Sequence, residues 1–235
     1  MKQYIIYFLF CFLALPNFAQ IVETNDVIRL RDAYNKLLSD KSPKAQAEFF
    51  MAFPENWSDF IIMDHELTYR YNAPFYLYIE EFGSLTAIND TLYCTKLINL
   101  TLGADLDADA PNALHALLHK VMEDPSFVTQ NEKANNKRNM PAIMLWILSH
   151  QLKGDIMRFW QFYWSSLYFE EDSGVYNDDN YNEDFYRLQE IVKKKYPHML
   201  PSMTMAYQFF HHGILFISSY GNTQNIEQLI KSVHE

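Results

Sequence analysis

The chain is short of cysteine, of glycine, of positive charge and of long apolar runs, and each shortage excludes something. Of 235 residues, 2 are cysteines, Cys11 and Cys94. Cys11 sits inside the apolar run that opens the chain, so a cut behind that run leaves Cys94 alone. A lone thiol makes no internal disulfide, and packing must hold the fold. Cys94 lies in Leu92-Tyr93-Cys94-Thr95-Lys96-Leu97, a helical pattern in which a small buried apolar side chain is expected. The 6 glycines form no Asn-Gly or Asp-Gly pair, and no long alternating run appears. Hairpins and a turn-rich β fold are therefore disfavoured. No glycine-rich phosphate loop and no G-x-S-x-G elbow occurs.

Lys and Arg number 19 against 29 Asp and Glu, a formal charge of -10. Such a chain repels phosphate backbones, which excludes nucleic acid as a partner and disfavours anionic membrane surfaces.

Apolar runs are equally scarce. Tyr4 to Leu15 follows Met1-Lys2-Gln3 and precedes Pro16-Asn17-Phe18-Ala19-Gln20. The run is about a dozen residues, and a spanning helix needs about 20. This is the layout of a secretory signal peptide cut after Ala19. The expectation is a signal peptide over 1-19 and a single helical domain over 20-235, periplasmic or secreted, with no stable membrane anchor. Loss of Lys2 takes the charge from -10 to -11. The densest later stretch, Pro141 to Leu148, is too short to span.

What is present is helical periodicity. Asn25 or Asp26 opens a helix to Leu38, with Val27, Leu30, Ala33, Tyr34, Leu37 and Leu38 on one face. Ser42-Pro43 opens a second through Phe49, Phe50 and Phe53, which Pro54 ends. Asn56 or Ser58 opens a third through Phe60, Ile61 and Leu67. Further helices are expected over Phe75 to Phe82, Thr91 to Leu100 capped by Asp90, Leu114 to Met122 behind Pro111, and Pro141 to Leu152. The last four run from Ile156 to Phe169, Asp184 to Tyr196, Met203 to Ser218 and Asn222 to His234. Asp124 to Asn139 and Glu170 to Asp184 read as loops. The fold class is all-α, with about ten helices stacked as helical hairpins in an irregular α-solenoid. No tetratricopeptide, ankyrin or armadillo signature appears.

Several constellations bear on chemistry. Asp105-Leu106-Asp107-Ala108-Asp109 offers carboxylates, but a Ca²⁺ loop starting at Asp105 would need Gly and Glu where Ala110 and Ala116 stand. Asp107 or Asp109 then caps the following helix. His115 and His119 are one helical turn apart, and with Asp109 and Glu123 they are candidate ligands for a divalent metal. Ala116 replaces the Glu base of H-E-x-x-H. The competing reading is an ordinary pair of histidines bordering the stripe Leu114, Leu117, Leu118 and Val121. His211 and His212 point about 100° apart and read as packed side chains.

Tyr176, Asp178, Asp179 and Tyr181 lie in an acidic, tyrosine-rich stretch that is either a solvated connector or a recognition surface. Phe159-Trp160-Gln161-Phe162-Tyr163-Trp164 places aromatic residues on several faces, as on a central helix. A carbohydrate or peptide groove around Trp160 is the alternative. Together these features lead to an exported protein-binding protein without catalytic activity and without a cofactor, of inhibitor or immunity type, whose partner is another protein. A metal-dependent hydrolase using His115 and His119, and a carbohydrate- or peptide-binding scaffold, are the alternatives.

Three stretches carry a family likeness: Phe50-x-x-Phe53-Pro54-x-x-Trp57-x-x-Phe60, Leu106-Asp107-Ala108-Asp109-Ala110, and Phe159-Trp160-x-Phe162. Over about residues 45 to 165 the chain resembles an uncharacterised group of small exported all-helical proteins of Gram-negative bacteria. The resemblance implies an exported helical protein and transfers no functional residue.

Overall fold

The computed structural model describes residues 25-102, 104, 109-122, 139-151, 156-165 and 178-211. The expected signal peptide, the carboxylates of 105-108, Glu123, the 124-138 loop, Tyr176, His212 and the helix from Asn222 lie outside them. Ten α-helices and no strand occur among the described residues. The protein is all-α.

The second and third helices begin where side-chain caps place them. Helix α1 spans Asn25–Ser39 and buries Val27, Leu30, Ala33 and Leu37. Leu38, expected inward, is 51% exposed, because a fifth apolar position falls outside the buried arc. Helix α2 spans Pro43–Ala52, and Ser42 Oγ accepts from the Ala45 amide at 3.3 Å. Proline at the first position costs no hydrogen bond there. Helix α3 spans Trp57–His65, capped by Asn56 Oδ1, which accepts from the Asp59 amide at 3.1 Å. It widens into a π-helical turn, Glu66–Arg70, which ends at Asn72 in the left-handed region (φ 49°). The Ala73 amide closes back on Leu67 O at 3.1 Å.

Helix α4 spans Tyr76–Gly83 and α5 spans Asp90–Thr101. Asn89, not Asp90, caps α5, its Oδ1 accepting from Thr91 and Leu92. Asp90 instead stands in the first turn, where a carboxylate favours the helix dipole. Helices α6 (Asp109–Met122), α7 (Met140–Gln151) and α8 (Ile156–Ser165) follow. Helix α9 spans Asp178–Lys195, a 3₁₀ turn Pro197–Met199 links on, and α10 spans Leu200–His211.

Helix α9 corrects the expected loop over Glu170 to Asp184. Residues 178-184, Asp178, Asp179 and Tyr181 among them, are helical. Asp and Asn weaken helix interiors, which is why the stretch reads as a loop. The same residues are favourable in a helix's first turns, where carboxylates meet the positive end of the dipole.

Helix α1 packs on α2 as a hairpin. The other close pairs are mostly two apart in the chain: α4 with α6, α5 with α7, and α8 with α10. Helices two apart in the chain thus lie side by side. Gly83 permits one of these approaches, since a Cβ there would stand 2.8 Å from Leu117 Cδ1 of α6. One continuous core results. Its N-terminal part is a phenyl stack: Phe53 lies 4.4 Å from Phe82 and 5.9 Å from Phe75, ring centre to ring centre. Its C-terminal part centres on α8, where Phe159, Trp160, Phe162, Tyr163 and Trp164 are all buried. The central helix inferred from the aromatic spacing is therefore present.

Two buried polar side chains lock the N-terminal part. Gln46 Oε1 accepts from the Thr86 and Ala87 amides at 2.8 and 2.9 Å, while its Nε2 donates to Lys41 O. Lys96 of α5 runs to the end of α2. Its Nζ donates to Phe50 O at 2.6 Å and Phe53 O at 2.9 Å and meets Glu55 Oε1 at 2.7 Å. Three acceptors match the three hydrogens of an ammonium, and the α2 carbonyls carry the negative end of the helix dipole. Cys94 is buried as expected, against Met140.

Candidate functional site

Helix α6 sets His115 and His119 one above the other, and both turn inward onto α8. They are 3% and 8% exposed, so they belong to the core and not to the border of the stripe. His115 Nε2 lies 2.8 Å from Phe162 O, and His119 Nε2 lies 2.9 Å from Tyr163 O. A carbonyl oxygen only accepts, so both Nε2 atoms carry the proton. Each ring also rests on the residue whose carbonyl it engages. The His115 and Phe162 centroids are 3.8 Å apart, and the His119 and Tyr163 rings stack at 4.4 Å. The pair of histidines is a double tether from α6 to two successive carbonyls in the last described turn of α8. Each carbonyl has two lone pairs, so the tether stands whatever the chain beyond Ser165 donates.

Ser165 brings a hydroxyl to the same spot. Its Oγ lies 2.8 Å from His115 Nε2 and donates to Phe162 O at 2.6 Å. The Ser–His distance is that of a nucleophile and its base. The protonation is not. A base needs a lone pair at Nε2, and here Nε2 carries hydrogen toward Phe162 O. Burial, helped by neighbouring His119, lowers the His115 pKa to about 3, against a small opposing effect of the Phe162 carbonyl. Such an imidazole takes up a proton poorly at neutral pH. Ser165 is itself wholly buried.

A second network adjoins the first. Tyr163 Oη donates to Asp184 Oδ2 at 2.6 Å. Arg187 Nε donates to Asp184 Oδ1 at 3.0 Å, an Nη of Arg187 also meets Asp184, and Tyr207 Oη donates to Asn182 Oδ1 at 2.6 Å. Helices α8, α9 and α10 are joined through these groups.

Of the expected metal ligands, His115 and His119 come together, with both Nε2 atoms committed to carbonyls. Asp109 begins α6, its side chain outside the described set, as Glu123 is entirely. Among the described residues no three His, Cys, Asp or Glu side chains converge as a metal site. Of the expected recognition residues, Asp178, Asp179 and Tyr181 are on α9, while Trp160 is fully buried. Trp160 thus offers no exposed ring to a glycan. Sequence reasoning missed Lys96 and Ser165. A lysine among Tyr93, Cys94, Leu97, Ile98 and Leu100 was the signal for the first. Ser165 had none.

Four buried nitrogens, His115 Nδ1, Trp160 Nε1, Trp164 Nε1 and one Nη of Arg187, have no partner among the described residues. No described helix is long and apolar enough to cross a membrane. Compared with protein-family models, curated proteins and solved structures, the chain matches none.

Proposed function

We propose that the protein is an exported, non-catalytic binder of another protein, of inhibitor or immunity type. The observation that carries this reading is how the reactive side chains are used. His115, His119 and Ser165 are buried and bonded to main-chain carbonyls, while acids and aromatics stand among the exposed groups. Tyr186 is 59% exposed beside exposed Glu183 on α9. An acidic protein of this kind attracts basic partners over long range and gains on-rate by steering. The apolar run at Tyr4 to Leu15, with its basic start and small-residue exit, supports export.

Affinity capture from envelope extract tests the reading. Because α9 begins at Asp178, neutralising Glu170, Glu171, Asp172, Asp178 and Asp179 to amides is a better probe than excising the segment. A partner captured by the natural chain and lost by the amide variant, with helix content unchanged, supports it. A pure protein that captures nothing, or that hydrolyses a substrate after Zn²⁺ or Mn²⁺ is added, contradicts it.

A further inference from the structure

The outward side of α3 and its π turn carries three exposed apolar side chains, which the inward-facing core does not require. Phe60, Met63 and Leu67 turn inward and are buried. Ile61, Ile62 and Tyr69 turn outward, Tyr69 to 79% exposure. At about 100° per residue, Ile61, Ile62 and exposed His65 share one arc. The wider π turn brings Tyr69 onto the same arc, its ring 4.8 Å from that of His65. Isolated exposed apolar residues are ordinary, whereas apolar side chains grouped on one exposed arc mark an interaction surface.

The flanks of this stripe are acidic. Asp59 and Glu66 fall on one side and Asp64 on the other. Between Glu55 and Asn72 there are three carboxylates, Asp59, Asp64 and Glu66, and one arginine. That arginine, Arg70, is bound to Glu66 at 3.2 Å and lies over the Tyr71 ring.

We propose that this face docks a cationic amphipathic helix of a partner protein. Its apolar side would cover Ile61, Ile62 and Tyr69, and its Lys or Arg residues would meet Asp59 on one flank and Asp64 on the other. Charge selects this occupant. A second copy of the chain would set the same carboxylates against each other across a two-fold axis. An anionic bilayer would be repelled by them. The inference rests on the protein-binding reading and supplies its surface.

The probe is a synthetic 18-residue peptide with Leu at i, i+3, i+4 and i+7 and Lys elsewhere, compared with a scramble of the same composition and a Glu-for-Lys version. Labelled peptide is titrated into the purified protein by anisotropy, and hydrogen exchange maps the contact. The expected result is at least tenfold tighter binding of the Lys peptide than of either control, with new protection over 58-70. The double variant Ile62→Ser, Tyr69→Ser loses tenfold or more. Asp59→Asn with Asp64→Asn loses severalfold and flattens the salt dependence. These side chains are exposed or half-buried, and circular dichroism checks that the variants fold. Equal binding of the scramble, protection elsewhere, unaffected variants, a stripe-dependent dimer, or stripe-dependent binding to anionic vesicles in place of the peptide would each overturn the proposal. If envelope capture finds a partner equally with natural and Ser-variant chains, the protein-binding reading stands and this surface does not. If neither chain captures anything, the protein-binding reading itself fails.

Discussion

Lys96 and the pair His115, His119 address the same problem in two halves of the molecule and do so with opposite chemistry. In each half a side chain crosses from a neighbouring helix to main-chain carbonyls in the core. Lys96 brings three donors to the end of α2, with Glu55 as counter-charge. The histidines bring one donor each to α8, with aromatic rings stacked beneath. The lesson is that burial alone does not decide whether a polar group is charged. The number of acceptors converging on it does. At both sites burial favours the neutral form: three acceptors, one of them the Glu55 carboxylate, oppose it at Lys96, whereas the single carbonyl at His115 opposes it too weakly to charge the ring.

The largest expected effect comes from removing the charged tether. Lys96→Met leaves Phe50 O and Phe53 O buried without their donor and should cost about 3 kcal/mol, read as a lower urea midpoint. A cost below about 1 kcal/mol would mean that water replaces the ammonium and that the two tethers are not comparable.

His115→Ala should follow, at about 2–4 kcal/mol, because it opens a cavity and strips a donor from Phe162 O. The pH dependence separates the two tethers. His115 has its folded pKa depressed to about 3 from an ordinary 6.5. Its contribution is complete above about pH 6.5. Between there and pH 3 the unfolded chain binds a proton that the folded chain refuses, so stability falls by about 1.4 kcal/mol per pH unit. The pKa of Lys96 is also lowered, first by burial, with Glu55 opposing. There the unfolded chain retains the proton longer, so stability rises with pH through an alkaline window below 10.5. His115→Leu should flatten the acid limb and leave the alkaline one, and Lys96→Met should do the reverse. Unfolding midpoints from pH 4 to 10 read both.

Smaller effects sharpen the same contrast. Gln46→Ala removes the acceptor shared by the Thr86 and Ala87 amides and should cost about 1–2 kcal/mol, whereas Ser165→Ala, which leaves His115 on Phe162 O, should cost about 1 kcal/mol or less. A cost for Ser165→Ala equal to that of His115→Ala would mean that the hydroxyl, not the imidazole, holds α8. Ile62→Ser on the outer face of α3 should change stability by less than about 0.5 kcal/mol, because the side chain leaves one solvated position for another.

Much of the fold was legible in the sequence because helix starts are chemically marked. Ser42-Pro43 and Asn56 cap where they were expected to. The start of α9 was not legible, because the residues that favour a helix's first turn also favour loops. Direction was less legible than presence. Ile61 is apolar and points to solvent, since periodicity on a helix apolar on two faces does not say which face is inside. His115 and His119 were visible as a row, but spacing does not reveal what faces them. Their acceptors are main-chain carbonyls 44 and 47 residues away, and backbone atoms leave no trace in a residue pattern. Tyr163 and Asp184, on separate helices, meet only once α8 and α9 have packed.

The tautomer of His115 and His119 is the most direct test of the neutral tether. Nitrogen-15 NMR of the imidazoles, with and without one equivalent of Zn²⁺, reads it. Both rings are expected in the Nε2–H form, with His115 neutral down to about pH 4 and no shift on adding metal. A lone pair at Nε2, or ring signals that move with Zn²⁺, would contradict it and return the pair to metal chemistry.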